Sequence, residues 1–136
     1  MIAIQTVIYN LIVLDTTIKS LMDPVKLYFV SRPAGTTEYP YFLYNLQVDD
    51  AGSLKSDYTL TIDFYDRGST SNRASAVAKA LLKIFDREIR SGGVDSEKII
   101  SFPGPARFIP EEEDRNIWHL TADFTIRTDK KGTIGG

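Results

Sequence analysis

Cysteine is absent from this chain of 136 residues. Disulfide staples, thiol nucleophiles and cysteine-ligated zinc are thereby excluded, and a reducing compartment fits the composition. Histidine is nearly absent too: His119 stands alone, so no histidine set can hold a transition metal. No sign of charge dominates, with 16 Lys and Arg against 18 Asp and Glu and a net charge of −2. Binding a duplex by phosphate neutralisation needs a basic stripe, which this chain does not write. Long apolar runs are missing as well. The segment from Met1 to Met22 is apolar, but it has no basic leader, and Asp15 and Lys19 interrupt it. No run therefore reaches the ~18 residues of a membrane span, and neither export nor spanning is expected. Phosphate-cradling glycine loops and the Gly-x-Ser-x-Gly nucleophile elbow are also lacking. The expectation is a protein that is not an enzyme and carries no cofactor or metal.

What is present describes an ordinary globular domain. Apolar residues make up 43% and charged residues 25%, too apolar for a disordered chain. A chain of this length buries roughly two-thirds of its unfolded surface, enough for one core without staples. One domain is expected over residues 1–128, with 129–136 a flexible C-terminal tail, because the tail has no periodicity and three glycines.

Ile4, Val7, Ile8, Leu11, Ile12, Asp15, Ile18 and Met22 follow helical spacing and predict one amphipathic helix of about 20 residues. Its many β-branched residues weaken its propensity, so packing must hold it, and Asp23-Pro24 ends it. Val25–Val30 is a short strand. Tyr41–Val48 is a second, with Phe42, Tyr44, Leu46 and Val48 on one face, and Asp49 to Ser53 reads as a turn. In Tyr58–Tyr65, Tyr58, Leu60, Ile62 and Phe64 alternate with Thr59, Thr61, Asp63 and Tyr65. Such a strand lies in an antiparallel sheet covered on one side. Asp66-Arg67-Gly68 closes it, and Ser69–Ser71 offers caps for a second helix. That helix carries its stripe from Ala74 through Phe85 to Ile89 and stops at Gly92-Gly93. Pro103 and Pro105 break Ile99–Ile109 into two short pieces or one bent edge strand. The final strand, Ile117–Arg127, alternates Trp118, Leu120, Ala122, Phe124 and Ile126 with His119, Thr121, Asp123, Thr125 and Arg127. The fold class is α+β: a mixed, largely antiparallel sheet of about five strands, packed on one face by two helices, in the order α-β-β-β-α-β-β.

Each chemical candidate has a plainer counterpart. His119 could act as a base with Asp123, two same-face positions away, but reads more simply as a half-exposed strand residue. Glu111, Glu112, Glu113 and Asp114, followed by Arg115, could gather a cation, yet they lack EF-hand spacing and read as a solvated turn. A metal-dependent hydrolase built from Asp49, Asp63, Asp66 and Glu111 has no motif to fix its geometry. Tyr39, Tyr41 and Tyr44 are more suggestive. Together with Phe42 they put aromatic rings on both faces of one strand, as interfaces do.

Several phrases resemble the bacteriophage tail terminator, or tail-to-head joining (tail completion), proteins. These are Tyr39-Pro-Tyr-Phe-Leu-Tyr44, Tyr58-Thr-Leu-Thr-Ile-Asp-Phe-Tyr65, the helix start at Ser69–Ala76, and Trp118-His-Leu-Thr-Ala-Asp-Phe-Thr-Ile126. The resemblance runs from about Ile4 to Arg127 and implies a structural protein of the virion, assembled in the host cytoplasm. Such a protein self-associates into a hexameric ring that caps the tail tube and joins it to the head–tail connector. DNA passes through the ring without sequence-specific contacts, and no membrane is involved. Tyr39, Tyr41, Tyr44, Glu111, Glu112, Glu113, Asp114 and Arg115 are the interface residues this reading implies. A head-completion adaptor of the phage neck fits the same phrases. A small cytosolic ligand-binding module is the alternative from a different class.

Overall fold

The computed structural model describes residues 2–29, 38–51, 55–90, 98–110 and 116–129. Its elements in chain order are helices α1 (Ile2–Val13) and α2 (Thr16–Leu21), strands β1 (Leu27–Phe29), β2 (Tyr41–Ala51) and β3 (Lys55–Arg67), helix α3 (Asn72–Ile84), and strands β4 (Arg87–Arg90), β5 (Lys98–Ile109) and β6 (Ile117–Asp129). The strands form one six-stranded sheet in the order β1-β2-β3-β6-β5-β4. Only β1 and β2 run parallel; every other neighbouring pair is antiparallel. This is the expected α+β mixed sheet, with an added strand and a divided first helix.

Register explains the core. Phe42, Phe64 and Leu120 stand in one cross-strand row, Tyr44, Ile62 and Ala122 in the next, and Leu46, Leu60 and Phe124 in a third. Because side chains alternate, these rows share one face. They bury against Ile4, Ile8, Ile12, Ile18 and Met22 of the N-terminal segment, and against Ala74, Val77, Ala80 and Leu81 of α3. Each large side chain taken from water there contributes roughly 1.5–3 kcal/mol.

Five expectations need correction. The single long N-terminal helix is two, because Asp15 turns its carboxylate onto the Ile18 amide at 2.9 Å and caps a new helix. A short acidic side chain that competes for backbone N–H groups is a poor interior residue and a good cap. The next helix ends at Ile84, not beyond Ile89. Phe85 closes it with its N–H on the Leu81 carbonyl and sets its ring 5.0 Å from Phe124. Arg87–Arg90 then pairs with β5, so Ile89 lies opposite Ile99 as a strand residue. Asp49–Ala51 is strand rather than turn, with a register shift between Val48 and Asp50, and Asp66-Arg67 continues β3 instead of closing it. Finally, β6 runs to Asp129. The Gly92-Gly93 stop and residues 130–136 lie outside the described residues.

The proline-bearing segment is one bent strand. β5 pairs with β6 on both sides of a register shift between Pro103 and Ala106. The bulge places Gly104 against β6, where a Cβ would meet the Asp123 carbonyl oxygen at 2.8 Å.

Candidate functional site

The face of the sheet opposite the helices carries the polar half of every alternating strand. Its rows, read across β2, β3 and β6, are Tyr41–Tyr65–His119, Leu43–Asp63–Thr121 and Asn45–Thr61–Asp123. Alternation built this face: each strand that buries one side chain must turn the next away from the core.

At one end of the face four rings stand in file. Tyr39 lies 5.5 Å from Tyr41, Tyr41 stacks on Tyr65 at 5.0 Å, and Tyr65 stacks on His119 at 4.2 Å. The Arg67 guanidinium sits 5.8 Å over the Tyr39 ring. His119 Nε2 meets Asp63 Oδ1 at 2.8 Å. A sheet that binds single-stranded nucleic acid presents open ring faces to the bases. Here Tyr41 and Tyr65 are stacked against their neighbours, Arg67 lies over the outermost ring, and Tyr41 is only 3% exposed. The file is a cross-strand post rather than a stacking platform.

Four carboxylates of this face, Asp49, Asp57, Asp63 and Asp123, are likewise engaged. Thr61 Oγ1 donates to Asp123 at 2.8 Å, Thr59 Oγ1 and Gln47 Nε2 donate to Asp49, and Arg127 Nε donates to Asp57 at 3.0 Å. The partner of His119 is thus Asp63 across the sheet, and Asp123 is held by Thr61. Asp66 lies on the helix side, where Arg73 at 3.2 Å and the Arg67 amide at 2.8 Å hold its buried carboxylate. That contact ties the start of α3 to the end of β3. Asp49, Asp63 and Asp66 are therefore not gathered into a hydrolase site, and Glu111 lies outside the described residues. Among the described residues no three His, Asp or Glu side chains converge on a metal position. No helix among them is long and apolar enough to cross a membrane.

The expected interface residues separate. Tyr44 faces the helices, 6% exposed, with its ring 5.1 Å from Phe29. Burial first, and then neighbouring Tyr9, push its phenol above the ordinary value. Tyr41 is covered within the ring file. Tyr39 retains partial exposure. Glu111, Glu112, Glu113, Asp114 and Arg115 lie outside the described residues.

What the residue patterns did not single out is the sheet's rim. Phe29, Val48, Phe102 and Phe108 are 43%, 44%, 46% and 43% exposed. Their signal was weak: apolar residues at strand ends or beside the prolines look like core residues until the strand order is known.

The fold and its surface define a class: an open, mixed α+β sheet, helices on one face, a cross-linked polar ladder on the other, and apolar side chains at the rim. No protein-family model and no curated protein sequence matches the chain. Among solved structures, a chain of the virion of a native gene transfer agent particle superposes with a TM-score of 0.70 at 15% identity. The match covers 92% of this chain and 93% of that one. A second solved structure aligns with a TM-score of 0.59 at 13% identity, covering 92% of this chain and 95% of that one. At these identities the likeness establishes the fold.

Proposed function

We propose that this chain is a structural protein of a phage-type virion: a tail terminator that caps the tail tube and joins it to the head connector by closing into a ring. The observation that carries the reading is the end-to-end likeness to a chain of a gene transfer agent virion, in which nearly all of both chains is matched. The resemblance of several sequence phrases to tail terminator proteins points the same way. So does the surface chemistry. On the open face Asp49, Asp57, Asp63 and Asp123 are committed to cross-strand partners, whereas the rim exposes large apolar side chains of the kind that association buries.

Sedimentation and negative-stain imaging of the purified protein, alone and with tail tubes, test the reading. Rings in solution, or assembly on tube ends, are expected. A protein that stays monomeric at high concentration and binds neither tubes nor connectors would end it. Deletion from the phage then separates two roles: over-long tails mark a terminator, and normal tails unattached to heads mark a neck adaptor.

A further inference from the structure

The helix layer stops one strand short of the sheet. On the helix side, Phe124, Ala122 and Leu120 of β6 are buried, while the β5 residues paired with them, Pro103, Ala106 and Phe108, are exposed. Every residue from Phe102 to Phe108 is exposed, so this half of β5 is bare on both faces. The half-buried Trp118 ring stands edge-on to Phe108 at 6.1 Å. Together they form an apolar shelf on the side of the sheet where a helix ordinarily packs.

The opposite flank holds a helix with the complementary defect. From Ile2 to Leu14 the chain carries no charged side chain. Ile4, Ile8 and Ile12 are buried as the core stripe of α1. Its outer stripe is Thr6, Tyr9, Asn10 and Val13, continued by Leu14, whose N–H donates to the Asn10 carbonyl. Tyr9 is 40% and Leu14 61% exposed. A surface helix ordinarily turns charge to water, as α3 does with exposed Arg73, Lys79 and Lys83. The outer face of α1 offers water none. α1 lies at the β2 end of the layer, where Tyr9 is near enough to act on the Tyr44 phenol, and β5 lies beyond β3 and β6.

From these two surfaces we infer that a second copy of the chain covers the shelf: the outer face of α1 in one copy packs on Pro103, Ala106 and Phe108 of the next. The inference rests on the assembly reading above and names its contact surface. Both surfaces belong to the helix side and lie at opposite flanks. Copies set side by side, with their helix layers on the same side, therefore bring one against the other. The match buries no charge, which would be costly without a partner. α1 brings none, and the one charged residue between Ser101 and Pro110, Arg107, pairs with Thr121 on the other face. The small Ala106 admits a helix at the middle of the shelf, and Tyr9 can bury its ring there while its hydroxyl reaches water. A membrane surface is the poorer occupant, because a helix that lies on lipid carries Lys and Arg on its polar face and α1 has neither. The contact joins two different surfaces, so it closes into a ring or propagates, depending on the rotation per copy.

Because the chain has no cysteine, Asn10→Cys and Ala106→Cys each carry a lone thiol. The two are purified separately, mixed and treated with a short bis-maleimide, both at high concentration and on tail tubes. A mixed cross-linked dimer is expected, in clear excess over the homodimers of either variant alone. Added charge gives a second readout. Asn10→Lys and Ala106→Lys fall on exposed positions, so each should melt like the wild type and weaken self-association at least about tenfold. If either melts lower, the cross-link alone decides. Oligomers that form without the mixed cross-link, or whose strength neither lysine changes, overturn the docking of α1 and leave the assembly reading standing. A monomer under every condition overturns both.

Discussion

Replacing Gly104 by alanine is a direct test of the bent β5. The new Cβ would lie 2.8 Å from the Asp123 carbonyl oxygen and 3.5 Å from its carbonyl carbon. Both are backbone atoms, so no rotamer change relieves the contact. Either the bulge or β6 must move. Movement of β6 at Asp123 also disturbs the 2.8 Å bond from Thr61. Overpacking of this kind costs about 1–3 kcal/mol. The lost freedom of the unfolded chain returns roughly 0.4–1 kcal/mol. The net expectation is a loss of about 1–2 kcal/mol, which in a chain of this size lowers Tm by roughly 3–10 °C. Gly68→Ala is the matched control. A Cβ there meets nothing within 4 Å, and the carbonyl that accepts from Trp118 Nε1 and the amide that donates to Asn116 remain in place. It should raise stability by about 0.4–1 kcal/mol. Thermal melts of the two variants beside the wild type decide the matter. If Gly104→Ala melts at or above the wild type, the close approach of the bulge to β6 is refuted.

Ser101 is wholly buried, and its hydroxyl has no hydrogen-bond partner among the described residues; Ser101→Ala should therefore stabilise by about 1 kcal/mol, seen as a higher urea midpoint at unchanged slope. Trp118→Phe removes the 3.0 Å bond to the Gly68 carbonyl and should lower stability by about 1 kcal/mol in the same assay. The Tyr44 phenol is held above its ordinary value near 10 by burial and by Tyr9. A raised folded-state value favours folding while the phenol keeps its proton. That contribution is intact below about pH 10 and is lost as pH rises past it. Unfolding followed above pH 10 should be shallower in Tyr44→Phe than in the wild type. Millimolar magnesium or manganese should leave Tm unchanged, since Asp49, Asp57, Asp63, Asp66 and Asp123 already hold partners. A clear upward shift would reopen the hydrolase alternative.

Alternation and helical spacing determined much of this protein. Tyr58–Tyr65 and Ile117–Arg127 announced a one-sided sheet because period two is a property of the chain itself, and the stripe from Ala74 to Phe85 announced α3 in the same way. Local rules failed where a competing partner lay far away in sequence. Ile89 continues a helical stripe, yet the edge of β5 recruits it as a strand. Asp15 fits the face of a long helix, yet its carboxylate caps a new one. Tyr39, Tyr41 and Tyr44 were legible as an unusual aromatic cluster. Only the pairing of β2 with β3 and β6 showed that Tyr41 joins a ring file and Tyr44 enters the core. Whether an apolar residue lies inside or on the rim depends on which strand is outermost and how far its neighbour covers it. Phe108 and Phe124 look alike in the sequence. Strand order buries Phe124 in a central strand and exposes Phe108 at the edge, because sheet order comes from long-range pairing that no local pattern encodes.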